Sequence, residues 1–163
     1  MSDLPKTRRV VTGHDENGLA IVVSDAVLEQ HHAPAAHMAS THVWATGGSP
    51  ADIFKQDDGR SSLLGTCPAA NGTRIGVLDI APGGEHAAPH RTDTIDYVIC
   101  VCGEIEMRLD RSAVVLRPGD ILVQRGTNHS WANAGTTPAR LVYVLLDGEP
   151  KREGSLTGAQ LAR

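Results

Sequence analysis

Residues 94–126 read TIDYVICVCGEIEMRLDRSAVVLRPGDILVQRG, and their short apolar runs are separated by Gly, Asp and Pro. Within them, Glu104 to Leu109 alternates polar and apolar side chains, as in a strand with one solvated face. No helical pattern lies between the runs. We therefore predict an all-β chain whose short consecutive strands pair antiparallel in a sandwich or barrel.

The same pattern extends to both sides of this stretch. Seven strands are predicted, at about 74–81, 96–101, 104–110, 113–116, 120–124, 129–133 and 139–146. Upstream, two β-branched runs around Asn17-Gly18 predict a hairpin over residues 8–24, and Thr41 to Thr46 predicts another strand. We expect an N-terminal arm (1–71) that packs on a barrel (72–147), followed by a polar tail (148–163).

The composition is that of an ordinary globular domain. The chain has 163 residues, of which 40% are hydrophobic and 21% charged, and its formal net charge is −4. No basic cluster could follow a phosphate backbone, so we expect no nucleic-acid partner. No apolar run has the length of a membrane span or resembles a secretory signal, which predicts a cytoplasmic protein without a membrane partner. Three cysteines cannot all pair within the chain, and reduced thiols fit that compartment.

Three segments resemble the two sequence motifs of the cupin superfamily. They are PGGEHAAPHRTDTIDY (82–97), CGE (102–104) and the stretch from Arg117-Pro118-Gly119-Asp120 to Asn133. The resemblance covers residues 72–146 and implies a jelly-roll-like β-barrel. Matched to the motifs, His90, Asp96 and His129 fall at metal-ligand positions, and Asp96 replaces the usual glutamate. Thr92 stands where the family has its second histidine.

A narrower resemblance joins the two halves of the motif region. HRTDTIDY (90–97) and QRGTNHSWAN (124–133) are similar to segments of small stand-alone bacterial and fungal cupins, some of which belong to polyketide pathways. This resemblance implies a small-molecule partner. It does not imply one particular reaction.

Strand alternation supplies an independent argument for the same residues. It places Asp96 with Val98 on one strand face, and His129 with Trp131 and Asn133 on another. If both faces line the interior, two imidazoles and a carboxylate meet in an apolar cavity. That set can hold Fe(II), Mn(II), Zn(II) or Ni(II) and leave positions open. The alternative is a metal-free hydrogen-bonded network that performs acid-base chemistry.

Other residues near the motifs are secondary candidates. His86 is either an additional metal ligand or a solvated loop residue, and Trp131 is either a wall for substrate stacking or a core residue. Arg91 and Gln124 could anchor a carboxylate or carbonyl group. His42 and Trp44 share a face of the predicted strand by alternation, and we expect them near the cavity mouth.

These features predict a metal-dependent enzyme that acts on a small carbonyl- or carboxylate-containing molecule. Dehydration, isomerisation or decarboxylation would use the metal to polarise the substrate. An Fe(II)-dependent oxygenase or oxidoreductase needs the same open site and is the first alternative. A non-catalytic module that binds a small ligand is the second. Resemblance to other small cupins further implies a homodimer, with the arm at the interface.

Overall fold

The computed structural model describes residues 4–29, 32–55, 57–59, 66–86 and 88–149. Those residues form ten strands and no helix. The predicted all-β class is confirmed, and each of the seven strands predicted between residues 74 and 146 is present within two residues of its expected bounds. The strands are β1 (Arg8–His14), β2 (Ala20–Val27), β3 (Met38–Thr46), β4 (Thr73–Ile80), β5 (Thr94–Cys102), β6 (Ile105–Leu109), β7 (Ala113–Leu116), β8 (Ile121–Arg125), β9 (His129–Ala132) and β10 (Ala139–Asp147).

The strands form three antiparallel sheets. A five-stranded sheet has the order β3-β4-β10-β5-β8, a three-stranded sheet has the order β7-β6-β9, and β1 pairs with β2 alone. The predicted strand at Thr41 to Thr46 is therefore the edge of the larger sheet. Apart from Gly148 and Glu149, the predicted tail lies outside the described residues, and no described helix could cross a membrane.

Apolar side chains from the two larger sheets form one shared core. Alternation along β5 buries Val98 and Cys100 and leaves Tyr97 and Val101 exposed, as the period of a strand requires. The cluster joins residues of the five-stranded sheet to residues of the three-stranded sheet: Met38, Leu78, Ile80, Val98, Cys100, Ala139 and Leu141 with Ile105, Met107, Leu116 and Trp131. The two sheets consequently pack face to face.

The segment between β4 and β5 pairs with the edge of the smaller sheet. His90 and His129 exchange backbone hydrogen bonds of 2.9 and 2.8 Å, and Glu85 bridges to Ala132. This pairing holds two histidine-bearing segments side by side. It depends on backbone geometry and not on the identity of the side chains.

A tight turn between β5 and β6 fixes the other end of the barrel. Gly103 has a φ of +70°, and an added Cβ would collide with the carbonyl oxygen of Pro138. Only glycine fits this position without strain.

Candidate active site

A cavity of about 570 Å³ opens between the two larger sheets. Its volume suits a small organic ligand. The described residues that line it are His32, Pro34, Ser40, Thr66, Arg74, Leu78, His86, Ala88, His90, Thr92, Asp96, Val98, Gln124, His129, Trp131, Leu141, Tyr143 and Leu145. Seven apolar residues therefore share the lining with seven ionisable residues and four other polar ones.

One row of side chains crosses the floor of this cavity. In the register of the five-stranded sheet, Arg74 on β4 pairs with Leu145 on β10, which pairs with Asp96 on β5, which pairs with Gln124 on β8. Directly paired residues project from the same face of a sheet. All four side chains accordingly face the cavity.

Asp96 is a buried carboxyl group with an unused acceptor. It is 6% exposed, and its Oδ1 atom has no hydrogen-bond partner among the described residues. Burial raises the pKa of Asp96 to about 6, against the opposing effect of a hydrogen bond from the Thr94 hydroxyl. Leaving such an oxygen unpaired costs free energy, which a ligand, a proton or a cation would recover.

Two contacts orient the His129 ring through the same nitrogen. Its Nδ1 atom lies 3.0 Å from the carbonyl oxygen of Thr127 and 3.1 Å from Nε2 of Gln124. A carbonyl can only accept, so Nδ1 carries the proton and the lone pair of the neutral ring is on Nε2. If the Gln124 amide is rotated by 180°, its Oε1 atom faces His129 and accepts a second hydrogen bond from Nδ1–H. Oε1 then has a partner, which it otherwise lacks among the described residues.

Three imidazoles lie against one another at this site. The ring centroid of His90 is 4.4 Å from that of His129 and 4.7 Å from that of His86. Burial lowers the pKa of all three histidines, and burial together with the neighbouring His90 brings the pKa of His86 and of His129 to about 4. At neutral pH the rings are therefore uncharged, with lone pairs available as ligands or bases.

The donor chemistry of this set fits a divalent transition metal, which the cupin resemblance implies. Neutral imidazoles and a buried carboxylate oxygen without a partner are the donors that such ions prefer. The structure does not arrange them as ligands: within the described part of the chain, no three His, Cys, Asp or Glu side chains form a group that could hold a metal.

The structure brings most of the predicted site residues together. His90, Asp96 and His129 all line the cavity, as do His86 and the secondary candidates Trp131 and Gln124. The Trp131 ring lies 6.0 Å from that of His129 and is 5% exposed, so it belongs both to the core and to the cavity wall. Thr92, at the second-histidine position, also lines the cavity, and its hydroxyl lies 2.6 Å from that of Thr94.

Arg91 is a correction to the sequence prediction. It does not line the cavity, and its guanidinium pairs with Asp93 at 2.7 Å while remaining 7% exposed. The next residue, Thr92, faces the cavity, so alternation turns Arg91 the other way.

His42 and Trp44 are a second correction. A β-bulge between them makes His42 pair with Gly76 but Trp44 with Ile75, so their side chains lie on opposite sheet faces. His42 is buried with Nε2 3.1 Å from the carbonyl oxygen of Asp58, and neither residue lines the cavity. The guanidinium of Arg9 lies 5.6 Å from the Trp44 ring centroid and attaches the hairpin there.

Sequence reasoning did not place five polar residues in the cavity: His32, Ser40, Thr66, Arg74 and Tyr143. Arg74 is 4% exposed, and the hydroxyl groups of Ser40 and Tyr143 lie 3.1 Å apart. Most of β4 is buried on both faces, so alternation could not show which of its residues face the cavity. The available signal was an arginine in a strand whose other residues are apolar except for Thr73 and Asp79.

Known sequences resemble the chain over nearly its whole length. The cupin domain family matches residues 76–145. Phomopsin biosynthesis cluster protein C' from Diaporthe leptostromiformis is 37% identical over 96% of this chain and 87% of its own length. The cupin-domain-containing oxidoreductase fogC from Aspergillus ruber is 32% identical over 90% of this chain and 75% of its own.

Solved structures share the same fold. A cupin domain from Schizosaccharomyces pombe matches with a TM-score of 0.54 and 15% identity, over 88% of this chain and 89% of that one. The polyketide cyclase RemF from Streptomyces resistomycificus matches with a TM-score of 0.51 and 14% identity, over 80% and 82%. The fold is the predicted jelly-roll-like barrel, and the chain belongs to the cupin-domain family.

Proposed function

We propose that this chain is an enzyme that moves a proton at a carbon atom next to a carbonyl or carboxylate group of a small organic molecule. Isomerisation and dehydration begin by removing such a proton, and decarboxylation ends by adding one to the carbon that has lost carbon dioxide. The observation that carries the proposal is Asp96, a buried carboxyl group with an unpartnered oxygen that lines a ligand-sized cavity. Such a group is costly to keep without a chemical use.

Asp96 has the properties of a general base. In the protein without metal, its pKa of about 6 leaves it mostly ionised at neutral pH, yet more basic than an exposed carboxylate. One oxygen of Asp96 takes the proton from the substrate carbon and returns it at another position or to the leaving group. The electron pair left behind passes to the carbonyl oxygen of the substrate.

His129 and His90 supply neutral nitrogens beside this carboxylate. The Thr127 carbonyl fixes the proton of His129 on Nδ1, so Nε2 is an acceptor of known position. His90 is held against His129 by backbone hydrogen bonds and ring contact. Both rings can therefore accept a hydrogen bond from the substrate or coordinate a cation.

A divalent transition metal is part of the proposal. His90, His129 and one oxygen of Asp96 would hold it, with His86 as an additional ligand, once side-chain rotations bring these donors together, because they do not form a ligand group as they stand. When bound, such an ion stabilises the negative charge that develops on a carbonyl oxygen. The donors do not select among Fe, Mn, Zn and Ni, because imidazole and carboxylate ligands suit all four ions.

Proton exchange in deuterated water tests this function. Pyruvate, acetoacetate and oxaloacetate are incubated with the metal-loaded protein, and deuterium incorporation is followed by proton NMR. We expect exchange beside a carbonyl group with wild type, and at least about 100-fold slower exchange with Asp96→Asn. The proposal is wrong if Asp96→Asn and His129→Ala exchange as fast as wild type, or if wild type exchanges none of the three compounds.

A second candidate function is oxidation. It is favoured by relatives described as cupin-domain-containing oxidoreductases, including fogC at 32% identity. An iron-loaded site with open positions could use dioxygen as the oxidant. Oxygen consumption by the Fe(II) form with these compounds, and none by the Zn(II) form, would favour this candidate over proton transfer.

We also propose that two copies of the chain associate. The outer face of β5 and β8 carries a patch in register, formed by Tyr97 with Val123 and Ile99 with Ile121. Ile121 is 68% exposed and Val123 is 55% exposed. β8 is also the edge of its sheet among the described strands, so a strand of a second copy could pair there.

A further inference from the structure

We propose that Arg74 forms an anion-binding subsite in the cavity and that the substrate is therefore an organic acid. This inference rests on the proposed function, because it assumes that the cavity is an active site. It names the substrate class, which the Asp96 and histidine groups alone do not. Arg74 is one of the polar cavity residues that the sequence motifs do not include.

The register of the five-stranded sheet sets the distance between Arg74 and Asp96. Arg74 and Asp96 pair with opposite sides of Leu145, so two strand spacings separate them. Adjacent strands are about 4.8 Å apart, which places their α-carbons roughly 10 Å from each other. Leu145 lies between them as an apolar spacer and also lines the cavity.

The guanidinium of Arg74 is suited to a carboxylate. Arg74 is 4% exposed and lines the cavity. The five N–H groups of a guanidinium can keep contacts with the protein and still offer two to a ligand. Paired N–H donors match the two oxygens of a carboxylate.

The charges on the cavity floor would orient such a substrate. Arg74 is positive at one end, and the side chains of Asp96 and the histidines lie at the other. A carboxylate is attracted to the arginine end, which leaves the rest of the molecule directed towards Asp96. The expected substrate is thus an organic acid. An apolar segment separates its anionic group from the reacting carbon, which lies next to a carbonyl group.

Benzoate and its neutral analogue benzamide test the subsite by binding alone. Calorimetric titration of wild type is expected to show benzoate binding at least about tenfold more tightly than benzamide. Arg74→Met should remove that preference and Arg74→Lys should retain part of it. The control Arg111→Met, at an exposed arginine, should bind benzoate like wild type.

Several outcomes would overturn the inference. One is that wild type binds benzoate and benzamide equally, or does not bind benzoate in the millimolar range. This measurement uses wild-type protein and does not depend on the folding of a variant. Another is benzoate binding by a folded Arg74→Met protein that equals wild type. Asp96→Asn separates the two proposals, because it should keep benzoate binding while losing deuterium exchange. If Asp96→Asn exchanges normally, the proposed function fails and the anion subsite does not.

Discussion

Gln124 Nε2 lies 3.1 Å from Nδ1 of His129, and this contact joins an edge strand of the larger sheet to the smaller sheet. The pair couples the row of residues on the cavity floor to the imidazole cluster, because Gln124 also pairs in register with Asp96. Groups that fix the ring orientation of a ligating histidine strongly affect metal affinity.

The first prediction concerns this contact. Gln124→Ala removes one of the two groups that orient His129 and should weaken metal binding by about tenfold, while Thr127 keeps the tautomer. Equilibrium dialysis against Zn(II) measures the change. Val123→Ala, on the opposite face of the same strand, is the control and should leave affinity unchanged. Unaltered affinity in Gln124→Ala would show that the contact has no positioning role.

Asn133 should be a structural residue. Its Nδ2 group donates to the carbonyl oxygens of Ile80 and Thr137, each at 2.9 Å, and its Oδ1 accepts from the backbone of Gly135. Asn133→Ala removes all three hydrogen bonds at a residue that is 2% exposed and should lower the free energy of unfolding by about 2–4 kcal/mol.

Urea denaturation measures that loss. Asn128→Ala, which removes an exposed bond to Asp110, is the control and should cost less than about 1 kcal/mol. If Asn133→Ala is as stable as wild type, the turn is held by other contacts.

Acid should destabilise the metal-free protein. The pKa values of His86 and His129 are about 4 in the fold and about 6.5 when unfolded, so the unfolded chain binds more protons between these values. Their contribution is complete above pH 6.5 and is lost as pH falls towards 4. Asp96 has the opposite effect on stability between pH 3.8 and about pH 6, because folding raises its pKa. As a single group it offsets only part of the contribution of the two histidines.

Urea denaturation with chelator at pH 7 and pH 5 checks this balance. We expect the free energy of unfolding to fall by about 1–3 kcal/mol on acidification. His129→Gln should flatten the dependence, and His14→Gln, at an exposed residue, should not. A wild-type stability that rises towards pH 5 would contradict the assignment of neutral buried rings.

The apolar patch on β5 and β8 predicts a dimer. Light scattering at micromolar concentration should give twice the mass of the 17.2 kDa chain. Ile121→Lys places a charge in the patch and should shift the mass to that of a monomer. Val22→Lys alters an apolar residue of the hairpin that is 58% exposed, and it tests whether that arm also contributes. A wild-type monomer would exclude the proposed association.

The strands and the central site residues were predictable because alternation depends only on regular pairing. Along β5 and β9 no bulge interrupts the residues that matter, so Asp96 and His129 face the interior as their positions predict. The second-motif histidine and the acidic position of the first motif could be matched by spacing alone.

Some site residues were wrongly predicted or missed because their positions depend on structural features that sequence spacing does not show. A single extra residue in β3 reverses the face of Trp44 relative to His42. Arg74 lies on a strand buried on both faces, where alternation gives no orientation. Its place beside Leu145 and Asp96 depends on sheet order, and the order β4-β10-β5 joins strands that are distant in sequence.

Metal binding tests the central claim most directly. Chelator-treated protein is dialysed in turn against Fe(II) under anaerobic conditions, Mn(II), Zn(II) and Ni(II), and bound metal is measured by mass spectrometry. We predict about one ion per chain for wild type and at least tenfold weaker binding for His129→Ala and Asp96→Asn, with His14→Gln unchanged. Wild-type protein that binds none of the four ions, or variants that bind them as tightly as wild type, would contradict a metal site at His90, Asp96 and His129.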